Sequence, residues 1–103
     1  MSSDWVTTRN AVLDIFKKAL ASGWNTLSDN AKEQISELAA IAQDIDANKD
    51  EMDAQARKQL LDNQTEAVKN VLLAEKIIAE TIIIKAINDA VNVILKNAPK
   101  LFL

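Results

Sequence analysis

Three residue types are missing from this 103-residue sequence: cysteine, histidine and tyrosine. Without cysteine the chain has no disulfide and no thiol chemistry, and cysteine usage cannot indicate its redox compartment. Zinc sites are usually built from cysteine and histidine, and a di-iron carboxylate bundle needs Glu-x-x-His motifs. Serine and cysteine hydrolases need a histidine base. We therefore expect no metal site, no cofactor and no catalytic residue, and we predict that the protein is not an enzyme.

Glycine and proline are almost absent, since Gly23 and Pro99 are the only residues of these types. Few positions therefore favour the tight turns of β-hairpins. The hydrophobic fraction of 49% and the charged fraction of 26% are typical of a globular chain, and 103 residues suffice for one domain. We predict a single all-α domain over residues 1–103, an antiparallel helical bundle or hairpin of three or four helices.

Negative charge is in slight excess, with a formal net charge of −3, and it is concentrated in the middle of the chain. Residues 29–66 carry ten acids and four bases, whereas residues 67–103 carry three acids and five bases. Binding to nucleic acid requires a concentrated basic face. We therefore expect no nucleic acid partner.

The sequence has no recognisable secretory signal and no membrane span. The first residues lack a basic segment followed by a long apolar one. The most apolar stretch is interrupted by Lys76, Glu80, Lys85 and Asp89, whereas a membrane-spanning helix needs about 20 mainly apolar residues. We expect a protein of the cytoplasm or of a larger particle, and a membrane is a less favoured partner.

Apolar residues recur at helical spacing along the chain. In the first segment they include Trp5 and Phe16, and Gly23 suits the end of a helix. In the second, from Ala31 to Ile45, they are separated by steps of four and three, which is the heptad-like pattern of coiled coils. The predicted segments are helix 1 at about 3–22, helix 2 at about 27–46, helix 3 at about 49–97 with an optional kink near residue 63, and a short apolar tail at 98–103.

The last third of the chain is its most apolar part. Between residues 67 and 95, isoleucine, leucine, valine and alanine fill most positions, and glycine and proline are absent. A helix that is apolar over most of its circumference must be buried on more than one side. Five polar residues fall on one narrow line of such a helix, which we call the polar stripe: Thr81, Lys85, Asn88, Asn92 and Lys96.

Burial of this long helix requires either a fold-back of the chain or a second copy. Its large aliphatic side chains would each gain about 1.5–3 kcal/mol on full burial. The sum, on the order of 15 kcal/mol, is comparable to the net stability of a whole domain. Helix 3 either folds back near residue 63 to complete a four-helix bundle or is buried between copies, and the second is the favoured prediction. The polar stripe would then face solvent or a central lumen. The predicted oligomer interface consists of Ile77, Ile78, Ile82, Ile83, Ile84, Ile87, Val91, Ile94, Leu95, Leu101, Phe102 and Leu103.

These observations favour one function and leave two alternatives. The leading prediction is a non-enzymatic structural subunit that self-assembles through its C-terminal apolar helix, as subunits of phage particles, secretion filaments or scaffolds do. The first alternative is a membrane-active helical protein that inserts or forms a pore as an oligomer. The second is an adaptor or chaperone that binds a partner's amphipathic helix. The expected partner is therefore the protein itself or another helical protein.

Overall fold

Four α-helices make up most of the computed structural model, which describes residues 2–102, with side chains from Trp5 onward. No strand is present within these residues. The all-α prediction is therefore confirmed, and the number of helices is four. Their bounds are α1 at Ser2–Leu20, α2 at Asp29–Ala47, α3 at Ala54–Glu75 and α4 at Glu80–Asn97, with short 3₁₀ helices at Ala21–Thr26 and Lys49–Glu51.

The helices form a four-sided bundle in which α1 packs against α2 and α4, and α3 packs against the same two helices. α2 and α4 therefore lie on opposite corners. Because every connection is short, consecutive helices run antiparallel, so α2 and α4 point in the same direction. The bundle measures 40 × 25 × 20 Å. One continuous core joins all four helices, and its largest fully buried side chains are Phe16, Ile35, Leu38, Ile45, Leu61, Leu72, Ile83, Ile94, Leu101, Val12 and Val68.

Side-chain caps fix where α2 and α3 begin. The Ser28 hydroxyl accepts a hydrogen bond from the Ala31 N–H at 3.1 Å, and the Asp53 carboxylate accepts one from the Ala56 N–H at 2.7 Å. Such caps satisfy backbone donors that a helix start leaves without partners. The predicted third helix therefore begins later than residue 49, because Lys49–Glu51 is a separate 3₁₀ turn ahead of the Asp53 cap.

The prediction of one long helix over residues 49–97 is wrong, and the suggested kink at residue 63 is not observed. Asn63 lies within α3, where its side chain accepts a hydrogen bond from Gln59 at 2.8 Å. The chain instead reverses at residues 76–79, where Lys76 adopts a left-handed conformation with φ 60°. A left-handed conformation costs a non-glycine residue about 1–2 kcal/mol. Burial of α4 against the other helices offsets that cost, because the reversal places Ile83 and Ile94 in the core.

The described part of the apolar tail, residues 98–102, packs against the bundle. Ala98 and Leu101 are buried, and Phe102 packs against the core. The buried Arg57 holds this segment, since its Nε donates to the Leu101 carbonyl at 2.7 Å. Its Nη1 donates to the carbonyls of Lys49, at 2.6 Å, and Met52. One side chain therefore joins the start of α3, the α2–α3 connection and the C-terminal segment.

Candidate functional site: an apolar groove between α1 and α4

The structure divides the predicted oligomer interface into three groups. Ile83, Ile87, Ile94 and Leu101 lie in the core of their own chain. A second group is half-buried against that core, and it contains Ile78, Val91, Leu95 and Phe102. The third group is exposed and contains Ile77, Ile82 and Ile84. Leu103 lies outside the described residues.

Exposure of the third group is large for isoleucine. The exposed fractions are 51% for Ile77, 42% for Ile82 and 40% for Ile84. Single exposed aliphatic residues are common on protein surfaces, whereas a contiguous apolar area with a polar rim indicates an interaction site. The question is therefore which of the three isoleucines lies beside other accessible apolar groups.

Ile82 is the one that lines a groove. The groove lies between α1 and α4, has a volume of about 450 Å³, and is open to solvent. Its apolar lining comes from Ile15 and Ala19 of α1 and from Ile82 and Ala86 of α4. Its charged lining consists of Lys18, Lys85 and Asp89.

Helical spacing explains how α4 forms its side of the groove. Ile82, Ala86 and Asp89 are separated by four and three residues and therefore lie along one line of the helix. Ile83 and Ile87, one position further on, fall on the line that faces the core. Ala86 is small, so the space between the two helices stays open above it. Within its first two turns, α4 thus has one line of residues that faces the groove and a neighbouring line that faces the core.

Charges around the groove are only partly neutralised within the chain. The Lys85 ammonium lies 2.9 Å from the Asp89 carboxylate, an i, i+4 pair on the surface of α4. Lys18 forms no ion pair with another described residue. The groove therefore offers an apolar floor and one excess positive charge, a combination that favours a complementary protein surface.

The polar stripe is exposed over its whole length on the single chain, which leaves open whether it faces solvent or a central lumen in an assembly. All five residues from Thr81 to Lys96 are accessible on the described chain. They lie on the side of α4 opposite to its buried line of Ile83, Ala90 and Ile94. The stripe and the groove are therefore neighbouring surfaces of one helix, and Lys85 belongs to both.

Sequence reasoning missed the α1 half of the groove. Ile15 and Ala19 flank Phe16 on the apolar side of α1, and they were assigned no function because such residues usually belong to the core. The available signal was the width of that apolar side, which extends from Val12 and Phe16 to Ile15 and Ala19. Arg57 and Gln64 were missed as well, because sequence reasoning places such polar residues on the surface by default. Gln64 is buried and donates to the side chain and the backbone carbonyl of Gln34 at 3.0 and 2.9 Å.

Two other pockets lie elsewhere on the bundle: one has a more polar lining than the groove, and the other is smaller, with a volume of about 240 Å³. One, between α1 and α2, is lined by Trp5, Val6 and Arg9 together with small and polar residues of α2. The other lies beside Leu60, between α2 and α3.

Trp24 makes cation–π contacts with two lysines. The ammonium groups of Lys17 and Lys32 lie 5.7 and 5.4 Å from the centre of its ring, and these contacts stabilise the Ala21–Thr26 turn.

Metal binding and membrane crossing were tested against the described part of the chain. No group of three or more acidic side chains is arranged there to hold a metal ion. No helix over residues 2–102 has the length and apolar content that a membrane crossing needs.

Comparisons with known proteins give no relative from which a function could be inferred. No protein-family model matches the sequence, and neither a curated protein nor a solved structure shows significant similarity to it.

Proposed function

We propose that this protein is a non-enzymatic structural subunit that associates with copies of itself through the groove between α1 and α4. The observation that carries the proposal is Ile82, which is 42% exposed on a surface where accessible apolar groups of two helices meet. The proposed interface is narrower than the sequence indicated, because much of the apolar helix is used inside the chain.

A two-fold contact suits this groove. In such a dimer the same surface is used on both copies, so Ile82 of each copy would pack between Ile15 and Ala86 of the other. The excess positive charge at Lys18 would lie near acidic groups at the partner's groove, such as Asp89. Charges of both signs on one surface allow it to be complementary to itself.

Energetics predict a weak and reversible dimer. Full burial of an isoleucine gains about 1.5–3 kcal/mol, and only the part of Ile82 that is still exposed contributes, so each copy gains on the order of 1 kcal/mol there. Association also has an entropic cost of several kcal/mol. Burial of Ile82 alone does not offset this cost, so the rest of the groove must contribute, and we expect a dissociation constant no tighter than about 1 μM, which corresponds to about −8 kcal/mol.

Ile82→Asp tests the proposal, with Ile84→Asp as its matched control. The two isoleucines have similar exposed fractions, 42% and 40%, but only Ile82 lines the groove. We expect sedimentation equilibrium of the wild type to show a dimer that dissociates on dilution. At about 1 M salt, which screens surface charges, Ile82→Asp should remain monomeric and folded, and Ile84→Asp should dimerise like the wild type. Equal dimerisation of both variants would show that the groove is not the contact.

The same groove supports a second candidate, an adaptor for an amphipathic helix of another protein. Its apolar lining comes from two adjacent helices, which is how grooves that accept a partner's helix are built. A wild type that stays monomeric up to the highest soluble concentration would reject self-association and favour this adaptor.

A further inference from the structure

A row of acidic residues follows the outer side of α2. Its four acids are separated by four, four and seven residues and therefore lie close to one line of the helix. All are exposed, and no basic residue lies among them. We call this row the acidic stripe: Asp29, Glu33, Glu37 and Asp44. Two exposed alanines, Ala40 and Ala47, lie on the same line.

The polar stripe of α4 is its counterpart in charge. It contains Lys85 and Lys96 and no acid. α2 and α4 occupy opposite corners of the bundle, and each stripe lies opposite to the buried line of its own helix. The two stripes therefore face in opposite directions, one on each side of the molecule.

Spacing along the two stripes also matches. Glu33 and Asp44 are eleven residues apart, as are Lys85 and Lys96. At 1.5 Å per residue, both pairs span about 16 Å. Between them lie short side chains, such as Ala40 on α2 and Asn92 on α4, which would allow the helices to approach.

The two pairs also lie at matching heights in the bundle. α2 and α4 run in the same direction and begin at the same end, where Ser28 contacts Glu75 and Gly23 lies next to Ile78. Glu33 is the fifth residue of α2 and Lys85 the sixth of α4. A copy displaced sideways without rotation would therefore place its Glu33 beside Lys85 and its Asp44 beside Lys96.

Three of these four charges have no ion-pair partner among the described residues. Within the described residues Glu33, Asp44 and Lys96 form no ion pair. Lys85 pairs with Asp89 but is itself 78% exposed. These groups are therefore available to a neighbouring molecule.

We propose that the polar stripe of one copy binds the acidic stripe of the next, so that copies associate in an open series. This inference rests on the proposed self-assembly and adds a second contact to it. Because the two surfaces differ and lie on opposite sides, the contact leaves one of each free on every complex. Such heterologous contacts produce filaments, or rings where the rotation closes. The occupant of each stripe is a second copy of this chain, since charge, spacing and height all match.

Sedimentation velocity at low salt and at about 1 M salt tests the contact, because ions at 1 M screen charges beyond about 3 Å. We expect species larger than a dimer at low salt and their loss at high salt. Asp44→Lys and Lys96→Glu should each weaken the larger species at least tenfold. The double variant, and an equimolar mixture of the two single variants, should recover them. Asp62→Lys and Lys58→Glu, exposed charge reversals on α3, are the matched controls and should leave the masses unchanged.

Each outcome separates this contact from the groove. Ile82→Asp should remove dimerisation through the groove and leave the salt-sensitive association, which would persist even if the groove proposal failed. A wild type that never exceeds two copies at low salt would overturn the inference. Reversed charges that act no more strongly than the α3 controls would overturn it as well. Circular dichroism of each variant verifies that the fold is intact.

Discussion

Arg57 is the residue at which three separate parts of the backbone meet. Its guanidinium donates to carbonyls of Lys49, Met52 and Leu101, and its side chain is only 6% exposed. Arginine suits this position because its planar group carries five donors in a fixed arrangement. Sequence reasoning places arginine on the surface by default, so nothing in the local pattern distinguished Arg57 from its neighbour Lys58.

Replacement of Arg57 by methionine should destabilise the whole protein. The change keeps an unbranched apolar stem and removes donors from three carbonyl groups, of which that of Leu101 is in a buried hydrogen bond. Loss of partners for buried polar groups costs about 1–3 kcal/mol each, so we expect unfolding free energy to fall by about 2–4 kcal/mol. Urea denaturation measures this fall. Lys58→Met, on the exposed side of the same helix, should change it by less than about 0.5 kcal/mol. Equal effects of the two variants would show that the hydrogen bonds of Arg57 do not stabilise the fold.

At the scale of the helix, the reversal between α3 and α4 is the feature that sequence reasoning placed wrongly. The apolar pattern, the first two helices and the polar stripe all followed from periodicity, because one buried line per helix is a local property. The reversal has no glycine or proline to mark it. It occurs at Lys76 because a break there allows Ile83, Ile87 and Ile94 to enter the core, and this requirement involves three other helices.

Glycine at position 76 should stabilise the protein. Lys76 has φ 60° and ψ 22° at the end of α3, a conformation that glycine adopts without steric cost. Relief of the left-handed strain, less the extra freedom of glycine in the unfolded chain, predicts a gain of up to about 1 kcal/mol. Thermal unfolding measures it. Asn70→Gly, an exposed change within α3, should instead cost about 0.3 kcal/mol, the difference between the helix propensities of the two residues. A Lys76→Gly variant that loses as much stability as Asn70→Gly would contradict the assigned turn.

For the whole molecule, the sequence predicted the fold class and the need to bury the apolar third, but not how that need is met. Four predicted interface residues contribute to the monomer's own core: Ile83, Ile87, Ile94 and Leu101. The free energy of burying these side chains is the same whether the neighbouring helix belongs to the same chain or to another one. The position of the reversal decides whether the apolar helix is buried within its own chain or between copies. The sequence does not mark that position, so only the α4 residues of the candidate site, such as Ile82, could be predicted.

A single core predicts that both ends of the bundle unfold together. The chain carries two natural reporters: Trp5 is buried in the half of α1 that contacts the end of α2, and Trp24 lies between Lys17 and Lys32 at the opposite end. The core that connects them is continuous through all four helices.

Trp5→Phe and Trp24→Phe each leave one tryptophan, whose fluorescence reports on its own end of the bundle. We expect the urea midpoint from fluorescence to equal the midpoint from circular dichroism within each variant, as a two-state transition requires. Fluorescence of Trp5 and helix content that change at different midpoints would mean that α1 and α2 unfold separately from α3 and α4. In that case α4 would be weakly held within the chain, and its isoleucines would be available to a second copy, as the sequence pattern alone had indicated.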